Sequence, residues 1–411
     1  MKAMPRRLLL IACFSATLLA AAPRDPKELA KVGMDPDRLA AIPARMKEFV
    51  DKGQIAGAVT LVARHGVVAA HDAVGWQDIE RKIPMKPDSI FQVMSMTKPV
   101  TAVAVMMLVE EGRVGLLDPV ERHIPEFRGQ MLVSEKHADG RITLKKPSRP
   151  ITVRDLLTHT SGMPTMPPPG LAQLYQKLDR TLADATLVYS QMRLEFEPGT
   201  QWLYSNPGIA TLGRIVEIAA DMPFERFLDT RIFKPLGMKD SFLFPPEDKK
   251  PRIATVYRLN NDKLERAGGE SLGGDPREYR KGAVYSGPEF ALYSTAADLA
   301  SFYDMARAGG VFNGKRLLSR AAVDVMSTLH TGDIEAGHNP GTGFGLGWEV
   351  AKDPPGTLNF WSVGAYGHGG AFGTHGYIDK QRDLVGVYLV QGGPVEGKYA
   401  FIRMAAAAAI D

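Results

Sequence analysis

Ser95-Met96-Thr97-Lys98-Pro99-Val100-Thr101-Ala102-Val103-Ala104-Val105-Met106-Met107-Leu108-Val109-Glu110-Glu111-Gly112 is the stretch on which the reading of the chain turns. Val100, Val103, Ala104, Met107 and Leu108 recur at helical spacing, Gly112 closes the run, and Pro99 falls in a first turn, where proline is tolerated. The pattern predicts a buried helix beginning close to Ser95. On a helix, residues three apart share a face, so Lys98 can reach Ser95. A serine hydroxyl is a poor nucleophile without a base in hydrogen-bond reach, and a lysine is a base only where burial or nearby cations lower its pKa. The apolar helix offers that burial, and its N-terminus favours negative charge beside Ser95. Taken alone, Ser-x-x-Lys is a weak signal, expected by chance about once or twice in ~400 residues. A capping serine with a solvated lysine reads equally well from these four residues.

Working outward, Asp37 to Lys52 carries Leu39, Ile42, Met46, Phe49 and Val50 at helical spacing. Ala56 to Ala63 and Val67 to Val74 are β-rich runs joined by Arg64-His65-Gly66, which predicts a hairpin and the start of an antiparallel sheet. From Leu117 to Tyr293 the texture is helical, with helices expected over 153–157, 171–192, 207–220 and 223–233. The polar stretch 245–283 reads as a long surface excursion. Helices follow near 295–308 and 319–328, strands at 344–350, 373–378 and 384–390, and a last helix over 397–410. Strands at both ends with helices between them predict an α+β fold: one antiparallel sheet built from both termini and flanked by helices, with a mostly helical domain inserted. The expected limits are about 23–115 and 290–411 for the sheet-bearing part and about 116–289 for the insertion.

The chain has 411 residues, 45% of them hydrophobic and 23% charged, which excludes disordered, collagen-like and coiled-coil classes. Its formal charge is +4, of which Lys2, Arg6 and Arg7 supply three, leaving +1 without the first 22 residues. So little charge gives scant counterion-release affinity, and nucleic acid is not an expected partner. The basic run from Lys136 to Arg149 reads as a solvated loop or hairpin. Those first 22 residues read as a secretory signal peptide: a basic start, the apolar run Leu8 to Ala22, and small residues Ala20-Ala21-Ala22 before Pro23. The expectation is a periplasmic or secreted protein of residues 23–411 without a stable membrane span. The single cysteine, Cys13, lies inside that segment, where a lipoprotein-type anchor is the lesser alternative. A mature chain without thiols has neither disulfides nor thiolate chemistry. Histidine spacing shows no metal motif, and no metal or cofactor is expected.

Two further segments could carry chemistry. Tyr204-Ser205-Asn206, just before Pro207-Gly208, can present a phenol and a carboxamide side by side, or form a turn with the ring packed inward. Gly367-His368-Gly369-Gly370-Ala371 precedes a strand; its glycines let a substrate approach the backbone, an edge amide can serve an oxyanion hole, and His368 adds a donor. The plainer reading is a glycine-rich turn. Gly269-Glu270-Ser271-Leu272-Gly273 fits the G-x-S-x-G pattern, but it lacks the strand before and helix after that such a nucleophile needs.

Together, Ser95-Met96-Thr97-Lys98, Tyr204-Ser205-Asn206 and His368-Gly369-Gly370 resemble the three-part signature of the serine β-lactamase and penicillin-binding-protein superfamily, and within it the class C-like, family VIII carboxylesterase branch. Val153-Arg154-Asp155-Leu156-Leu157-Thr158-His159-Thr160-Ser161-Gly162 and Pro235-Leu236-Gly237-Met238 also resemble family motifs. The resemblance covers about residues 35 to 395 and implies the β-lactamase/DD-peptidase fold and an acyl-enzyme route. It implies Ser95 as nucleophile, Lys98 and Tyr204 as shared base and acid, the amides of Ser95 and Ala371 as oxyanion hole, and Asn206 orienting Lys98 and substrate. Gly369 and Gly370 would flank the substrate. His368 would stand where many relatives have a lysine, and a mostly neutral imidazole turns the expectation from substrates with a carboxylate toward short-chain neutral esters. The alternatives are a β-lactamase or D-amino-acid peptidase on the same machinery, and a non-catalytic cell-wall ligand-binding protein. The expected partner is a small ester or amide substrate.

Overall fold

Residues 57–64 are buried without exception, which a strand achieves only when both faces of its sheet are covered. The computed structural model describes residues 25–167, 177–261, 263–268, 274–352 and 360–410. Within them Gly57–Arg64 pairs antiparallel on one side with Val67–Asp78 and on the other with Leu384–Leu389, in the register Val59 to Leu389 and Thr60 to Tyr388. The sheet has eight strands in the order Thr342–Phe344, Glu349–Ala351, Tyr366–Gly369, His375–Asp379, Leu384–Leu389, Gly57–Arg64, Val67–Asp78, Ile83–Pro84. Strands from the two ends of the chain therefore meet at its middle, as expected.

Helices Pro36–Asp51 and Val395–Ala408 cover one face and share a core with Val62, Tyr377, Tyr388 and Phe401. The other face packs on Ala296–Arg307, and the same core takes in Thr97–Glu110, the helix read from the sequence, in which residues 97–108 are all buried. Asn206–Ala220 lies beyond it and adds Ile209, Leu212, Ile215 and Val216 to the same core, each burial contributing about 1.5–3 kcal/mol.

Several expectations change. The run 344–350 is two strands, Thr342–Phe344 and Glu349–Ala351, because Gly345 and Gly347 turn the chain between them. Gly347 takes φ +79°, and a β-carbon there would lie 2.4 Å from the Ala102 methyl. Tyr366–Gly369, read as part of a turn, is a strand with partners on both sides. The stretch 245–283 is no mere surface excursion. Ile253, Ala254, Val256 and Tyr257 are buried, as are Arg277 and Arg280, because Asp78 and Thr255 bond the Arg277 guanidinium at 3.0 and 2.7 Å and satisfy its charge. Part of the helix expected over 171–192 lies outside the described residues. The described part runs Leu182–Ser190 from a Thr181/Asp184 capping box, and Leu178 at φ +53° breaks the path before it. The helix expected over 223–233 is Phe224–Leu228, continuing as a π turn, Asp229–Phe233. The basic run forms the exposed hairpin Leu132–Lys136 with Ile142–Lys145. The signal-like segment with Cys13, and Gly269 to Gly273, lie outside the described residues.

Candidate active site

Ser95 sits in a 3-10 turn, Met94–Met96, that leads into the Thr97–Glu110 helix. Met94 before it is left-handed (φ +52°), a conformation uncommon outside glycine and held here by bonds around it. The Thr97 hydroxyl donates to the Met94 carbonyl at 2.6 Å and accepts from the Leu292 amide at 3.1 Å. The Thr101 hydroxyl donates to the Pro288 carbonyl at 2.7 Å, and Phe91-Gln92 pairs with Tyr293-Ser294. The nucleophile turn is thus stitched along one side to residues 288–294.

That seam also holds Lys98. Its Nζ lies 2.9 Å from Ser95 Oγ and donates to the Glu289 carbonyl oxygen at 2.7 Å. Lys98 is wholly buried, and desolvation of its ammonium lowers its pKa to about 7 against the opposing pull of the Glu289 carboxylate. Near neutral pH a large fraction is therefore free amine, a base within reach of the serine proton. Lys98 Nζ also rests over the Tyr204 ring, 4.7 Å from its centroid.

Tyr204 is placed by the start of the next helix. Ser205 caps Asn206–Ala220, its hydroxyl accepting from the Gly208 amide at 3.1 Å and donating to the Pro164 carbonyl at 2.8 Å. The Ser205 amide donates to His159 Nδ1 at 3.1 Å. The Tyr204 hydroxyl is hydrogen-bonded to Ser95, and burial, reinforced by the charges of Glu349 and Glu289, pushes its pKa above the ordinary phenol value. It stays protonated and can pass a proton.

The third segment enters through the Tyr366–Gly369 strand. Gly370 stands so close to the nucleophile turn that a β-carbon would lie 2.3 Å from the Val93 carbonyl and 2.2 Å from Thr374 Oγ1. The Thr374 hydroxyl donates to the same Val93 carbonyl at 3.1 Å. Gly370 is thereby held beside the turn that carries Ser95. His368 is buried, and its Nδ1 lies 2.7 Å from the Gly369 carbonyl. Only an N–H can serve that contact, so Nδ1 carries the proton. Desolvation first, then the Lys98 charge, lowers its pKa well below the ordinary imidazole value, so it is neutral and Nε2 keeps a bare lone pair. His368 therefore offers an acceptor, where the sequence suggested a donor.

The structure brings Ser95, Lys98, Tyr204, His368 and Gly370 together. The Asn206 amide donates to Met166 Sδ at 3.3 Å, and it is the Glu289 carbonyl that holds Lys98. The sequence reading passed over Glu289, His159 and His338. His159, in the Val153–Gly162 segment, packs 4.5 Å from the Tyr204 ring, and burial holds its pKa well below the usual imidazole value. His338 meets the same ring edge-on at 4.8 Å. His159 lay within a segment already noted for its resemblance but was given no role, and His338 carried no motif, since folding alone brings both to Tyr204.

Comparison with known proteins identifies the family. The Beta-lactamase family profile matches residues 42–409. Esterase EstB of Burkholderia gladioli is 30% identical over 87% of this chain and 92% of its own length. Lovastatin esterase of Penicillium rubens is 29% identical over 85% of this chain and 92% of its own. Among solved structures, "EstCE1, a hydrolase with promiscuous acyltransferase activity" superposes with a TM-score of 0.76 at 27% identity, over 92% of this chain and 98% of that one. Because the profile spans so much of the chain, and relatives named as esterases match it along nearly their whole length, the protein belongs to the Beta-lactamase family and is a hydrolase of its esterase-like kind.

Proposed function

We propose that the protein hydrolyses short-chain, uncharged carboxylic esters through an acyl-enzyme on Ser95. The observation that carries this is the desolvated Lys98 amine 2.9 Å from Ser95 Oγ, beside a third segment that offers a neutral imidazole instead of a cation. Lys98 takes the serine proton as Oγ attacks the ester carbonyl. The amides of Ser95 and Ala371 receive the developing oxyanion at the mouth of the Thr97–Glu110 helix. Tyr204 gives its proton to the departing alkoxide and is re-protonated from Lys98. Water then attacks the acyl-enzyme with the same groups in reverse order, releasing the acid and restoring Ser95. A buried neutral His368 supplies no charge for a substrate carboxylate, which favours esters over β-lactams and D-amino-acid peptides.

The test is steady-state kinetics of residues 23–411 on nitrophenyl butyrate and nitrocefin in parallel, each repeated with Ser95→Ala. Butyrate turnover well above nitrocefin turnover, lost in the variant with an unchanged circular dichroism spectrum, is the expected result. The reverse ranking would reassign the protein to β-lactams. Undiminished activity in Ser95→Ala would overturn the nucleophile.

A further inference from the structure

His338 lies in an exposed loop, yet that loop is held as tightly as a core element. Buried Glu349 accepts at one oxygen, Oε1, from the His338 amide at 2.9 Å, the Asn339 side-chain amide at 2.9 Å and the Thr342 hydroxyl at 2.8 Å. The Tyr399 hydroxyl, from the last helix, donates to Asn339 Oδ1 at 2.9 Å. Gly337 takes φ +90°, and a β-carbon there would lie 2.3 Å from Thr342 Oγ1. These bonds hold the loop backbone, and from it the His338 ring stands edge-on to Tyr204, 6.4 Å from His368 and 5.5 Å from the Trp202 ring. Trp202, and Gly337 next to His338, also line a cleft of about 510 Å³ together with Thr200, Gln201, Ile334 and Glu335. That volume lies within the range of small-molecule sites.

Resting on the ester reading above, we infer that this cleft receives the alcohol portion of the substrate, with His338 as the specificity-determining residue at its entrance. Tyr204 delivers a proton to the leaving oxygen, so the leaving group must lie along Tyr204, and the wall it meets there is His338 and then Trp202. An indole and an imidazole edge select a planar, uncharged alcohol such as a benzyl or aryl group. Glu335 at the rim disfavours an anionic one. Glu349 acts as a positioning residue, since it touches the loop and not the substrate.

Benzyl and methyl butyrate share an acyl group and have alcohols of similar acidity, so the ratio of their kcat/KM values reads the alcohol site alone. Wild type should prefer benzyl by tenfold or more, and Trp202→Ala and His338→Ala should each cut that ratio about tenfold. The butyrate-to-acetate ratio for the methyl esters should stay within about twofold in both variants. Glu349→Gln keeps an accepting oxygen and should retain the benzyl preference, whereas Glu349→Ala should lose it at unchanged methyl-ester KM. A benzyl-to-methyl ratio unmoved in folded Trp202→Ala and His338→Ala, or a shift in the acyl ratio instead, would overturn the inference while leaving the esterase reading intact. Wild type inert toward every ester would overturn both.

Discussion

Replacing Lys98 with methionine should remove activity and yet stabilise the protein. In the folded protein the Lys98 pKa is about 7, and in the unfolded chain it returns to the ordinary lysine value of 10.5. The difference is about 3.5 units, or roughly 5 kcal/mol at ~1.36 kcal/mol per unit. Below pH 7 the folded protein carries this full penalty, because the ammonium must be held without water. Between pH 7 and 10.5 the unfolded chain binds more protons than the folded one, so stability rises with pH across that window and the penalty fades. Methionine fills a similar volume with no charge to desolvate. It also leaves the Glu289 carbonyl without the Lys98 donor, which takes back about 1–3 kcal/mol. The net expectation is a gain of about 2–4 kcal/mol at pH 6.5 that shrinks toward zero or below by pH 10. Urea unfolding at those two pH values measures it. The wild-type kcat/KM should rise with pH through about 7 as the amine is freed, and Lys98→Met should flatten that limb along with activity. Destabilisation of Lys98→Met at pH 6.5, or a gain that does not depend on pH, would refute the claim that desolvation sets the lysine's pKa.

Tyr204→Phe should lower kcat/KM for esters by about 10²–10⁴-fold, as loss of a general acid does, with a melting temperature close to wild type. Gly370→Ala should cost both stability and turnover, because its methyl meets the Val93 carbonyl and Thr374 within 2.3 Å. A shift of about 1–3 kcal/mol in urea denaturation is expected.

The fold was legible wherever one period persisted. The 97–110 helix, the hairpin over 57–78 and the joining of strands from both ends of the chain all follow from unbroken apolar patterns. It failed where glycine density hides strands: Gly367, Gly369 and Gly370 suggest a turn, yet Tyr366–Gly369 is a strand because both neighbours supply ladder partners. It failed again at 245–283, where charge read as solvent exposure and proved to be buried pairing of Asp78 with Arg277. In the site, residues carried by local motifs, Ser95, Lys98, Tyr204 and His368, were visible. Glu289 acts on Lys98 through a main-chain oxygen, which no side-chain pattern announces. Its partners 191 residues apart, like His338 on Tyr204, exist only once the chain has closed.

The pairing of Gly57–Arg64 with Leu384–Leu389 also governs when the protein becomes chemically competent. Val59 waits for Leu389, so the middle strands cannot zip until nearly all of the chain has been synthesised. A ladder closed over so long a loop forms slowly and late. Until it does, the five-strand meander that carries Tyr366–Gly369 and its Gly370 turn is not joined to the hairpin over 57–78. A chain truncated before Leu384 is therefore expected to hold its serine among hydrated side chains with a protonated lysine nearby, and to show no turnover of a nitrophenyl ester. Closing the sheet is then the event with which activity is expected to appear.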